Sequence, residues 1–124
     1  MILDASALLA YLQQEHGCLQ VEQDLSTAFM STVNWCEVVQ KLRARSVDDN
    51  AVYKNLVILG LRFIPFNMEH ADKAAELWKI TAPFGLSLGD RACLATGLVE
   101  KMSVMTADKI WQKLPLSLEI KLIR

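Results

Sequence analysis

Apolar residues fall along the chain in two rhythms, short unbroken runs and longer stretches with helical spacing. Met1–Leu3 starts a strand, and Ala5–Gln14 reads as a helix that Ser6 can cap. Ala28–Ser31 is a second short strand. Ser31 or Thr32 then caps a helix to about Arg45, with Val33, Cys36, Val39 (or Val38) and Leu42 on one face. Asp48-Asp49-Asn50 opens another helix, which Gly60 ends. Leu61–Phe66 is a bulky apolar strand, and Pro65 marks it as ending or lying near an edge. Met68–Thr81 is helical, closed by Pro83 and Gly85, and Ser87 starts the next helix, through about Glu100. Ser103–Thr106 is a strand, Ala107–Leu114 a short helix and Glu119–Ile123 a last strand. No element is predicted between residues 15 and 27. Strands separated by helices need crossover connections, so the fold class is α/β: a three-layer α/β/α sandwich around a mostly parallel sheet.

The length of 124 residues suits one domain, 1–124, with a self-supporting core. The hydrophobic fraction of 52% is high for a soluble monomer and points to an apolar surface that meets a partner. Net charge is −1, which argues against a protein that grips nucleic acid by phosphate contacts alone. Any phosphate ligand has to be drawn by something else, and a bound divalent cation would serve. Cys18, Cys36 and Cys93 form no CxxC pair and read as buried, reduced thiols. His16 and His70 lack metal-ligand spacing and read as surface or cap residues. Met1-Ile2-Leu3-Asp4 lacks the basic leader of a signal peptide, and no run of 18 apolar residues exists, so a cytoplasmic protein without a membrane span is expected.

Asp4, Glu37, Asp90 and Asp108 carry the candidate chemistry, and each has an innocent explanation. Ser87-Leu88-Gly89-Asp90 fits a capping box. Asp108 can complement a helix dipole, Asp4 can cap the helix behind it, and Glu37 can pair with Lys41 one turn on. Their joint placement argues otherwise. In an open parallel sheet, ligands bind outside the carboxyl ends of the strands. Asp4 and Asp108 follow such ends, while Glu37 and Asp90 sit in early turns of helices that start at the same edge. Two carboxylates about 5 Å apart repel by roughly 3 kcal/mol at an effective dielectric near 20. A convergent set therefore holds protons or a cation. Oxygen donors without a nearby histidine or cysteine select Mg²⁺ or Mn²⁺, and such a site suits phosphodiester hydrolysis. Ser6 and Thr106 stand beside Asp4 and Asp108 and can touch substrate. Asn34, one turn before Glu37, can orient Glu37 or touch substrate. Arg91 and Lys109, adjacent to the acids, are candidate phosphate-backbone contacts ahead of Lys41, Arg43 and Arg45. No Gly-rich phosphate loop and no GxSxG elbow occurs.

In this order, four segments resemble PIN-domain proteins of the VapC toxin type: Met1–Ala10, Ser31–Val38, Gly85–Ala95 and Val104–Trp111. The resemblance runs the length of the chain and implies an Mg²⁺- or Mn²⁺-dependent endoribonuclease that hydrolyses RNA phosphodiester bonds. It implies a catalytic quartet of Asp4, Glu37, Asp90 and Asp108. Asp4 and Asp90 would be the usual metal ligands, with Asp108 assisting the metal or the water, and Glu37 would shape the site. It also implies a homodimer inhibited by a cognate antitoxin. Trp35 and Cys36 depart from the smaller or aliphatic residues common there, which alters packing rather than chemistry. Leu8, Leu9, Leu12, Val38, Val39, Leu56, Val57 and Leu59 exceed what one helix face needs and offer a seat for an amphipathic helix. The competing expectation is a non-catalytic α/β interaction module that binds a partner helix. A phosphatase or receiver-like domain is disfavoured because Asp4 is followed by Ala5-Ser6, without a second aspartate.

Overall fold

The computed structural model describes residues 1–124. Five short strands, β1 (Ile2–Leu3), β2 (Phe29–Ser31), β3 (Arg62–Ile64), β4 (Val104–Thr106) and β5 (Ile120–Leu122), form one sheet in the order β3-β2-β1-β4-β5. Every neighbouring pair is parallel, so the sheet is wholly rather than mostly so. Six α-helices connect them: α1 (Ala5–Leu12), α2 (Cys18–Asp24), α3 (Thr32–Ala44), α4 (Asp49–Leu59), α5 (Met68–Thr81) and α6 (Leu88–Glu100).

Alternation along the strands divides the interior in two. Leu3, Met30 and Met105 face one core, built with Leu8 of α1, Val21 of α2, Val38 of α3 and Leu56 of α4. Ile2 and Val104, one residue away, face the other, built with Leu77 of α5, Leu94 of α6 and Trp111. Two cores on opposite faces of one sheet make three layers. Central strands are apolar on both faces, the pattern of a parallel sheet covered on both sides.

Several expectations hold closely. Ser31 caps α3, Asp48 caps α4, and Gly60 ends α4 at a φ of 107°, a backbone state that a side chain would strain. Pro65 follows β3, which is an edge strand. Others shift. The stretch without a predicted element contains α2 and a short 3₁₀ turn, Leu25–Thr27. The short helix expected over Ala107–Leu114 is a 3₁₀ turn, Lys109–Lys113. Of the cysteines only Cys93 is buried; Cys36 is exposed and Cys18 partly so, because the apolar face of α3 is carried by Val38 and Leu42 instead. His16 is exposed, whereas His70 is buried and completes the capping box of α5, accepting from the Asn67 N–H and bonding Glu100 at 2.8 Å.

Candidate active site

Strand order reverses between β1 and β4, and in such sheets a crevice opens outside the carboxyl ends of the two strands. Asp4 stands there, directly after β1, its backbone N–H donating to Met105 O of β4. Its side chain does not cap α1. It is buried, 4% exposed, and its Oδ2 accepts from Ser6 Oγ at 2.6 Å and from Thr106 Oγ1 at 3.0 Å. The Ser6 hydroxyl in turn accepts from the Ala107 N–H, and the Thr106 hydroxyl from the Asp108 N–H. Ser6 and Thr106, expected to meet substrate, thus spend their protons on Asp4, and Ser6 does not cap α1.

Glu37 lies in the second turn of α3. It forms no pair with Lys41; its Oε1 accepts from Asn34 Nδ2 at 2.9 Å. Asn34 is fully buried and donates a second bond, also 2.9 Å, to Gly89 O in the first turn of α6. Asp90, next in α6, closes the capping box: its Oδ2 accepts from the Ser87 N–H, while its own N–H donates to Ser87 Oγ. Asp108 caps the Lys109–Lys113 turn through Oδ1, which accepts from the Ile110 N–H at 3.1 Å, and it is exposed at the rim.

The capping and catalytic readings are therefore compatible. Each of the four carboxylates is anchored through one oxygen, and none makes a second side-chain hydrogen bond through the other: Oδ1 of Asp4, Oε2 of Glu37, Oδ1 of Asp90 and Oδ2 of Asp108.

Electrostatics binds three of them together. Burial pushes the Asp4 carboxyl up to about 6; the Ser6 and Thr106 hydroxyls pull it down, and the charges of Asp90 and Glu37 push it further up. Glu37 is raised by burial and by Asp90, against the Asn34 bond. Cys93, one turn past Asp90 and fully buried, is driven well above the ordinary thiol range by burial and by Asp4, Asp90 and Glu37. Asp108 adds to none of these shifts and joins the cluster only through Thr106.

No three of the chain's His, Cys, Asp and Glu side chains stand together as a group that could hold a metal ion. Oxygen donors of this chemical kind suit a hard dication that keeps part of its hydration. Mg²⁺ is held through one or two carboxylates plus water and phosphate oxygens.

A family model described as PIN domain matches residues 1–116. The chain belongs to the PIN domain family. Solved structures similar to this PIN domain include a toxin–antitoxin complex from Klebsiella pneumoniae, at 16% identity and a TM-score of 0.72, covering 92% of each chain. VapBC2 from Rickettsia felis bound to a promoter DNA fragment aligns at 14% identity and a TM-score of 0.74, over 98% of this chain and 96% of that one. FitAcB from Neisseria gonorrhoeae aligns at 17% identity and a TM-score of 0.71, over 97% and 95%. At these identities the likeness carries the fold. Among curated proteins, none matches by sequence.

The predicted substrate contacts separate on inspection. Arg91 NH1 donates to Ala74 O of α5 at 2.9 Å, so its guanidinium is committed to the α5–α6 interface. Lys109 is exposed beside Asp108 without an ion-pair partner, while Arg43 is engaged by Asp49 at 2.9 Å. Gly89 went unnoticed in the sequence except as part of the capping motif. A Cβ there would stand 2.5 Å from both Glu37 carboxylate oxygens. The signal was available: an isolated glycine inside a helical pattern costs helix stability relative to alanine.

Proposed function

We propose that this PIN domain, as a single unit over 1–124, is a divalent-cation-dependent endoribonuclease acting as the toxin of a toxin–antitoxin pair. The observation that carries the reading is the set of carboxylates each fixed through one oxygen and free at the other, three of them sharing one negative field. Asp4 and Asp90 would hold Mg²⁺ or Mn²⁺, with Asp108 assisting from the rim. An ion held there would supply polarisation of the scissile phosphate and a more nucleophilic water. Ser6 and Thr106 keep Asp4 oriented and favour its ionised form. Glu37, held by Asn34, accepts a proton or a hydrogen bond at Oε2. Lys109 is the cation best placed to meet the RNA backbone, since Arg91 is engaged elsewhere.

An antitoxin partner is supported by the solved toxin–antitoxin complexes that share the fold, and by apolar side chains left open on α4, where Ile58 is 81% exposed. The same strip supports the second reading, a partner-binding module without catalysis. Homodimerisation and a cytoplasmic site belong to the proposal; no helix is long and apolar enough to cross a membrane.

Antitoxin-free protein should cleave RNA with Mg²⁺ or Mn²⁺ and stop when EDTA is added. Asp4→Asn and Asp90→Asn should each remove most of the activity, and Asp108→Asn less. Gel-resolved cleavage of a mixed RNA pool checks this. Cleavage that survives in the Asp4/Asp90 double variant would overturn the site, and partner binding without any cleavage would favour the module.

A further inference from the structure

Glu37 differs from the three aspartates in how its place is defined. They are held by backbone N–H groups or hydroxyls local to their own turns, or across one strand pair. Glu37 is held between two helices. Asn34 Nδ2 reaches Glu37 Oε1 on its own helix and Gly89 O on α6, both at 2.9 Å. Both partners are acceptors, so the amide orientation is set: the NH₂ group faces them, and Oδ1, buried, has no donor. Leaving a buried amide oxygen unpaired costs free energy, so what Asn34 does for its neighbours has to offset that.

The carboxylate of Glu37 fills the space a side chain at position 89 would occupy. A Cβ on Gly89 would lie 2.5 Å from Oε1, 2.5 Å from Oε2 and 2.6 Å from Cδ. Gly89 sits inside α6 with no left-handed φ, so its backbone does not require glycine. Glycine there lowers helix stability relative to alanine. What the position gains is room for the Glu37 carboxylate beside Asp90.

We propose that Asn34 and Gly89 are positioning residues that form a two-sided seat for Glu37, Asn34 fixing its carboxylate from α3 and Gly89 leaving the gap in α6 that it occupies. The seat sets the spacing between Glu37 and Asp90 and so the cation affinity of the pocket. This rests on the nuclease reading only for the cation. The seat itself is a statement about two helices and is testable without one.

Gly89→Ala separates the roles. The group in its way is the far end of a flexible side chain, so the fold can yield by expelling the carboxylate rather than by moving backbone. In cation-free protein, the melting temperature should change little for Gly89→Ala alone. It should rise by roughly 3 °C when the same change is made in a Glu37→Ala background, where the helix gain is unopposed. An equal rise in both backgrounds would overturn the seat. Titration calorimetry with MnCl₂ gives the second arm. Gly89→Ala should weaken Mn²⁺ binding roughly 10–100-fold, the range found when outer-shell partners are lost. Asn34→Ala should do the same, and the double variant should be no worse than the poorer single, because both act through Glu37. Additive losses, or unchanged affinity, would overturn the proposal. Should Gly89→Ala fail to fold, the comparison of Asn34→Ala with Asn34→Ala/Glu37→Ala decides: the two should bind Mn²⁺ alike. A wild-type protein that binds no Mn²⁺ would refute the nuclease reading and leave the stability arm to judge the seat.

Discussion

Asp4 is the residue on which opposing demands meet. Burial raises its carboxyl to about 6, against about 3.9 for an aspartate in an unfolded chain. The fold therefore binds a proton more tightly than the unfolded chain does. Stability from this group is fully present below pH 4 and is lost as pH rises through 6, up to about 3 kcal/mol in all. Cation-free protein should accordingly tolerate more urea at pH 5 than at pH 7.5, and Asp4→Asn should flatten that dependence while stabilising the protein at the higher pH. A steady gain in stability from pH 5 to 7.5 that Asp4→Asn leaves intact would contradict this. Ser6→Ala removes a donor that favours the ionised carboxylate, so the Asp4 titration followed by NMR should move upward. The acid limb of the cleavage profile should move with it.

At the scale of elements, legibility followed the reach of the interactions. Ser31, Asp48, Gly60 and Ser87 bound their helices through contacts within a turn, and spacing alone exposes such contacts. The acids were legible for a related reason: Asp4 and Asp108 follow strand ends, and a parallel α/β order sends strand ends to one edge. Residues that bridge elements were legible only in part. Asn34 drew notice through its i,i+3 relation to Glu37, but its bond to Gly89 spans 55 residues and leaves no local pattern. α2 was missed because its seven residues carry only one buried side chain, Val21, and show no usable period. Arg91 shows the opposite failure, since adjacency to Asp90 suggested substrate while the side chain reaches back to α5. Arg91→Ala should therefore cost about 1–2 kcal/mol in chemical denaturation, through a lost hydrogen bond and lost packing of the stem, and leave cleavage within about twofold of wild type. Lost cleavage at unchanged stability would return Arg91 to the substrate side.

For the whole molecule, the near-zero net charge of −1 and the shared field of Asp4, Glu37 and Asp90 point the same way. Without a dication the pocket repels a phosphate backbone. Binding of a short RNA, read by fluorescence anisotropy with Ca²⁺ as the hard ion, should strengthen about tenfold or more over the EDTA control. Equal affinity in the two conditions would mean that protein charge, and not the ion, attracts the strand.

Cys93 is fully buried, and burial first, then the charges of those same carboxylates, oppose its ionisation. Zinc and other thiophilic ions prefer thiolate, the form this environment withholds. Peroxides also attack the thiolate, so burial, with the neighbouring negative charges adding to it, shields this sulfur from oxidants.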